Sequence, residues 1–236
     1  MQQVSEIPGL GQLPYAETWF HEIDDARFRD ASNGARALGK TGLEAWTTTR
    51  TPDVADFLRS RGYEEVRRYV ISELELDEAA DLGPPRLPLA TFAERPDLER
   101  ALFELARVAY ADQPGRAGTS FEFESWREWG LHAHPPEAYF VALDGDELLG
   151  YGYLERRGEE WWNGFMAVAQ AARGRGVAGA IKRAEVAWAK EHAVERLRTA
   201  TEARLASMLD LNRRFGYRPL YEEIVLRGPL DDDTRR

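Results

Sequence analysis

Between residues 159 and 192 the chain changes its hydrophobic period abruptly. "EEWWNGFMAVA" (159–169) is aromatic and apolar in the manner of a strand, whereas the residues from about 176 to 192 carry helical spacing. The junction is Arg173-Gly174-Arg175-Gly176-Val177-Ala178. A strand, a tight turn and a long helix in immediate succession point to an α/β layer architecture. The first N–H groups of the helix have no carbonyl four residues back, and the helix dipole places partial positive charge on them. Glycine lets the backbone come close to an anion, Ala178 keeps the first turn slim, and two arginines offer charge-assisted hydrogen bonds. Together these make an anion site suited to a diphosphate. The hexapeptide alone is equally a sharpened turn with two solvated arginines. It is not a Walker loop, because no Gly-Lys-Ser/Thr follows, and its glycine spacing is not that of a dinucleotide fingerprint.

The neighbouring segments extend the pattern. "PDLERALFELARVAYAD" (96–112) has apolar residues at Leu98, Ala101, Leu102, Leu105, Val108 and Ala109 behind a proline, which predicts a helix. "FEFESWREWGLHA" (121–133) predicts a second helix, with Phe123, Trp126 and Trp129 on one side. "AYFVALDGDELLGYGYLERR" (138–157) reads as two strands joined at "DGD", and 159–169 as a third. After the long helix, 194–201 is strand-like, 203–216 helical and 218–230 a final strand. The order ααβββαβαβ predicts a mixed central sheet flanked by helices. "LDEAADLGPPRLPLA" (76–90) holds a Pro-Pro step that suits neither helix nor sheet, so a linker is placed at 79–87.

The N-terminal part is related to the rest. "ADFLRSRGYEEVRRYVISELEL" (55–76) aligns with "MLDLNRRFGYRPLYEEIVLRGPL" (208–230), each running helix, Gly-Tyr, strand, and "LEAWTTT" (43–49) parallels "VERLRTAT" (194–201) upstream. This reads as an internal partial repeat; a chance match of two helix–turn–strand units is the alternative. The expected organisation is a truncated half repeat at 1–78, the linker, a complete domain at 88–230 and a polar tail at 231–236.

Composition narrows the function classes. The net charge of −10 argues against a general nucleic-acid binder. The chain has no cysteine, which removes disulfides, thiolate nucleophiles and cysteine–zinc sites. Its four histidines show no metal-ligand spacing beyond the pair His132 and His134, so no metal is expected. The N-terminus lacks the basic start and apolar stretch of a signal peptide, and no apolar run is long enough for a membrane span. A cytoplasmic protein without a membrane partner is the expectation.

"FMAVAQAARGRGVAGAIKRAEVAWA" resembles the acetyl-CoA-binding motif of the GNAT superfamily of N-acetyltransferases, whose Arg/Gln-x-x-Gly-x-Gly/Ala pattern is met by Arg173, Gly176 and Ala178. The element order over 88–230 is similar to the whole GNAT core. The N-terminal part is similar to half of a second, degenerate repeat, as in tandem GNAT proteins of the mycothiol-synthase sort. The resemblance implies acetyl-CoA as cosubstrate, with its diphosphate on the N–H groups of Arg173, Gly174, Arg175, Gly176, Val177 and Ala178. It implies that the pantetheine arm lies along Met166 and Val168 like an added strand, where a backbone N–H polarises the thioester carbonyl. The implied reaction is direct attack by the amine of a small molecule or peptide.

Further roles follow from the same resemblance. Glu160, thirteen residues before Arg173, stands where some members carry a catalytic glutamate; it is otherwise a solvated strand-end carboxylate. Leu205 and Asn212 occupy the places where many members have Asn and a general-acid Tyr. Asn212 matches a branch with asparagine there, which makes it a cofactor-binding candidate, and Tyr217 and Tyr221 are substitute acids by proximity, or simply packed aromatics. For the acceptor, Trp126, Trp129 and Trp161 lead a set that includes Tyr110, Phe121 and Trp162, beside Asp112, Glu122 and Glu124. An amphipathic core stripe accounts for at least half of these aromatics. The departures leave a second reading open, a non-catalytic module that binds acetyl-CoA or partners as a sensor or scaffold. The half repeat cannot bury a sheet face alone, so it is expected to pack against the main sheet or against a second copy of the chain, which points to a homodimer.

Overall fold

From the N-terminus, short strands β1 (Ser5–Glu6) and β2 (Tyr15–Trp19) lead into helix α1 (Asp25–Ala37), strand β3 (Gly42–Thr48), helix α2 (Pro52–Arg59) and the long strand β4 (Glu64–Glu75). Strand β5 (Leu89–Thr91), helix α3 (Glu99–Ala111) and the single turn α4 (Phe123–Trp126) follow. Then come β6 (Tyr139–Asp144), β7 (Glu147–Arg157), β8 (Glu160–Asn163), β9 (Ala167–Val168), α5 (Val177–Glu191), β10 (Arg196–Glu202), α6 (Ala206–Phe215) and β11 (Arg218–Pro229). This computed structural model describes residues 2–7, 13–81, 83–113 and 120–231; the end of the expected tail, 232–236, lies outside the described residues. It divides into two units, Met1–Val70 with Tyr221–Arg236, and Ile71–Leu220. The division therefore falls within β4 and β11 rather than at 79–87.

In the first unit β1 pairs antiparallel with β2, β2 parallel with β3, and β3 antiparallel with β11 from Glu223↔Thr48 to Pro229↔Gly42, with β4 beyond β11. α1 and α2 cover one face. Asp24 caps α1 by accepting from the Arg27 N–H, and Pro52 opens α2, where its missing N–H has no consequence. Phe28, Ala31 and Ala35 of α1 and Val54, Ala55 and Leu58 of α2 pack on Leu43 and Ala45 of β3 and on Ile224 and Leu226 of β11. The last strand, expected to finish the C-terminal domain, thus pairs the edge that β3 would otherwise expose. On the opposite sheet face Glu44 is 0% and Arg67 1% exposed. Glu44 accepts from Arg67 and, at 2.7 Å, from Arg227.

The second unit has the strand order β4-β10-β8-β7-β6-β5, with β9 pairing β7. The expected hairpin is β6–β7, with Gly145 at φ +61° in its turn. Two predictions are corrected. The expected strand 159–169 is broken into β8 and β9, and the expected helix 121–133 is one α-turn followed by a wider, i→i+5 turn at Arg127–Leu131. Gly130 makes the second possible, since a Cβ there would stand 2.4 Å from Trp126 Nε1. α3 buries Leu102, Phe103 and Ala106 but leaves Ala101 and Val108 exposed, because its packed face is narrower than the sequence stripe. Phe140, Ala142, Leu149, Ala172, Val177 and Ile181 form the core beneath α5.

α6 is capped by Gly216 (φ +98°), the turn after α2 contains Gly62 (φ +82°), and each leads into a strand of 12 residues. Only glycine takes that conformation without strain, so the same turn chemistry redirects the chain twice.

Candidate functional site

The glycine-arginine turn lies at the N-terminus of α5. Gly174 and Gly176 have φ +79° and +83°, and a Cβ on either would meet nothing within 4 Å. Open space thus lies over both glycines, and no side chain caps the helix. The N–H groups of Val177, Ala178 and Gly179 consequently face outward without carbonyl partners inside the helix. Arg173 and Arg175 are partly exposed and each holds an aspartate at 2.9 Å, Asp112 and Asp144 respectively. Two cations beside a helix N-terminus form a basic rim, held by exposed ion pairs that an incoming polyanion can replace.

The broken strand leads to this turn. β8 pairs parallel with β10 through Asn163↔Thr199, and there the pairing ends. The Gly164 N–H turns instead to the Tyr153 carbonyl, while among the described residues β9 pairs only with β7, and β10 runs on to Glu202. The two chains therefore part in a V beyond Asn163. The Ala169 N–H donates to Leu149 on β7, so by strand alternation the backbone of Val168 faces the opposite, open edge. Met166 shares that parity and packs against the core under α5. The N-terminus of α5 and the open edge of β9 are thus contiguous, which brings the residues expected to bind a diphosphate and an extended arm to one place.

At the apex of the V lies a buried polar cluster whose centre the sequence reading missed. The Tyr217 hydroxyl donates to Asn163 Oδ1 at 2.5 Å, and Asn163 Nδ2 donates to Glu185 Oε2 at 2.8 Å. Lys182 Nζ stands 4.7 Å from the centre of the Tyr217 ring. Lys182 is 2% and Glu185 1% exposed. Burial raises the Glu185 carboxyl to about 7 and lowers Lys182, while burial and the Glu185 charge push Tyr217 well above 10. Asn212 is buried nearby, donating to Thr201 Oγ1 at 2.9 Å, with its Oδ1 unpaired. The signal in the sequence was the spacing: Lys182 and Glu185 share the stripe of Val186 and Ala189 on α5.

Other expected residues lie elsewhere. Glu160 is bound to Arg198 at 2.5 Å, and Glu73 holds the same guanidinium at 2.7 Å. Glu160 and Trp161 line a cavity of about 320 Å³ with His192 and Val194, beyond the C-terminus of α5. A 15-residue helix is ~22 Å long, so this cavity is at the far end of α5 from the glycine turn. Trp126 is 1% exposed and packs on Phe103, which makes it core and not a substrate wall. Trp129 is half-buried, edge-on to Tyr110 and Phe121, and its Nε1 is unpaired. Trp162 and Phe121 are buried, Leu205 is exposed, Tyr221 lies in the first unit under Arg50, and Glu124 is paired with Arg127. His134 stacks on Tyr153 at 3.9 Å, and among the described residues no group of three or more potential ligands is placed to hold a metal.

The model of the acetyltransferase (GNAT) family matches residues 100–217, half of the chain. The chain belongs to the GNAT family. That match contains the glycine turn, the V and the buried cluster. Among solved structures, the protein is similar to a GCN5-related N-acetyltransferase from Sphaerobacter thermophilus, with a TM-score of 0.71, 18% identity, and coverage of 98% of this chain and 76% of that one. It is also similar to a tandem GNAT protein from the clavulanic acid biosynthesis pathway, with a TM-score of 0.72, 18% identity, and coverage of 94% and 77%. A GCN5-related N-acetyltransferase from Kribbella flavida aligns with a TM-score of 0.60, 16% identity, and coverage of 92% and 82%. At these identities the likeness is one of fold. No curated protein matches by sequence. Among the described residues no helix is long and apolar enough to cross a membrane.

Proposed function

We propose that this GNAT protein moves an acetyl group from acetyl-CoA to the amine of a small molecule or peptide. One observation carries the reading: the open glycine turn at the N-terminus of α5 is continuous with the unpaired edge of β9. The turn and its two arginines fit a diphosphate, and the β9 edge fits an amide-bearing arm that pairs as an extra strand. Acetyl-CoA supplies the activated thioester. The protein's own groups supply position: the N–H groups of Gly174, Gly176, Val177 and Ala178 for the diphosphate, those of Arg173 and Arg175 being donated instead to the Gln170 and Ala172 carbonyls, and the Val168 backbone with Met166 for the arm. Tyr217 at the apex is the candidate proton donor to the leaving sulfur, while Asn212 shapes the adjoining wall. Glu160 is held by Arg198 and lines the separate cavity beyond α5, so the amine proton is left to pass to solvent. Trp129 with Tyr110 is the candidate acceptor wall.

Residues 1–78 read as a truncated, degenerate half repeat, supported by the matching helix–glycine–strand passages at Gly62 and Gly216. The ion-paired state of Glu160 favours one alternative, a non-catalytic acetyl-CoA-binding module. The deciding experiment is acetyl-CoA-dependent thiol release with a panel of amines, followed by mass analysis of the amine. Thiol release with acetylated product supports transfer; binding without release supports the sensor or scaffold reading.

A further inference from the structure

Two charged residues on α5 point into the protein. Lys182 and Glu185 are nearly inaccessible, and the space for the Glu185 carboxylate is made by Gly152 on β7, where a Cβ would stand 2.9 Å from Oε1. The carboxylate is the end of a directed chain, Tyr217 O–H to Asn163 Oδ1 and Asn163 Nδ2 to Glu185 Oε2. The groups facing Glu185 are Lys182 from its own helix, Asn163 from β8 with Tyr217 behind it, and the bare Gly152 from β7.

The direction of that chain depends on one proton. An ionised carboxylate can only accept, so it takes the amide N–H₂ of Asn163, leaving the amide oxygen for the Tyr217 hydroxyl. The phenol proton is then engaged. A protonated carboxyl gains an O–H that can donate to the amide oxygen, an arrangement a carboxamide reaches by turning over through 180°, which exchanges its two ends. The amide N–H₂ then donates to the Tyr217 oxygen, and the phenol proton is free.

We infer that Glu185 is a positioning residue that, through Asn163, sets whether the Tyr217 proton is tied to the amide or is available to a leaving group at the apex of the V. The inference rests on the acetyl-transfer reading for what the leaving group is. In that reaction the amine nitrogen bonds to the acyl carbon, the C–S electron pair goes to sulfur, and sulfur takes the Tyr217 proton. The proton shed by the amine passes to solvent, which returns one to the phenolate. Loss of the Glu185 charge also removes one of the two causes that hold Tyr217 far above its ordinary range. Protonation therefore frees the donor and strengthens it as an acid.

The test uses the full chain labelled with ¹⁵N, following the Asn163 side-chain amide from about pH 5 to 9, with Glu185→Gln for comparison. The expected result is one step in the Asn163 resonances with a midpoint near 7, absent from Glu185→Gln. A flat wild-type profile, or the same step in the variant, overturns the inference. The catalytic readout is kcat for acetyl transfer: in wild type it falls above that midpoint, and in Glu185→Gln or Asn163→Leu that limb is lost. Retention of the limb in either folded variant also overturns it. If no amine supports thiol release, the transfer reading fails, while the amide titration still decides whether Glu185 directs the chain.

Discussion

Replacing Glu44 by Gln tests how the last strand is held in the first unit. Glu44 on β3 accepts hydrogen bonds from Arg67 on β4 and Arg227 on β11. Glu44 and Arg67 are sealed from solvent, and Arg67 Nε and Nη1 already lack acceptors. Removing the shared carboxylate leaves a buried guanidinium uncompensated, a change that costs ~3–5 kcal/mol. Arg227 is partly solvated and adds little. For a chain of this size each kcal/mol lowers the melting temperature by about 2–4 °C, so the variant should melt roughly 6–20 °C lower. Denaturant unfolding, followed by Trp46 and Trp19 fluorescence, supplies the free energy. The triple replacement Glu44→Leu, Arg67→Met, Arg227→Met removes all three charges and should recover to within about 1–2 kcal/mol of wild type. A loss below ~1 kcal/mol in the single variant would refute the reasoning.

Three other perturbations are informative. Asp144→Asn frees Arg175 from an exposed pair worth ~0.2–1 kcal/mol, so acetyl-CoA affinity should rise by up to about fivefold at low salt; calorimetry showing weaker binding contradicts this. In Gly150→Ala the new Cβ would meet the Ala167 carbonyl at 2.7 Å, forcing β9 from β7 at a cost of ~1–3 kcal/mol and weakening acetyl-CoA binding. Unchanged melting and binding would show that β9 is not held there. Glu185 has a folded pKa of about 7 against 4.5 when free, so the stability it confers is present below the lower value and lost as pH rises through the upper. Wild type should therefore lose stability relative to Glu185→Gln as pH rises between about 5 and 8, and a gap of opposite slope in pH-dependent melting contradicts that sign.

The sequence shows most clearly what is decided locally. The glycine-arginine turn, its following helix and the "DGD" hairpin depend on residues next to one another, and all three stand where they were expected. What escaped depends on distant partners. The alternation of "RPLYEEIVLRGPL" predicts a strand but cannot say that its partner is β3, and nothing in "EEWWNGFMAVA" shows that Asn163 is the last residue to pair with β10. Lys182 and Glu185 were passed over because charges on a helix normally face water. Trp126 fell on the wrong side of the choice between core and substrate wall, since helical spacing describes both.

The central claim, that the N-terminus of α5 holds the diphosphate of acetyl-CoA, is tested most directly by calorimetric titration of acetyl-CoA into wild type, Gly176→Ala and Gly176→Trp. At φ +83° any side chain strains the turn, so Gly176→Ala reports strain alone, whereas the indole of Gly176→Trp also fills the open space above it. The account predicts micromolar binding to wild type, weaker binding to Gly176→Ala and none to a folded Gly176→Trp. Absence of binding to wild type, or equal binding to all three, would contradict it.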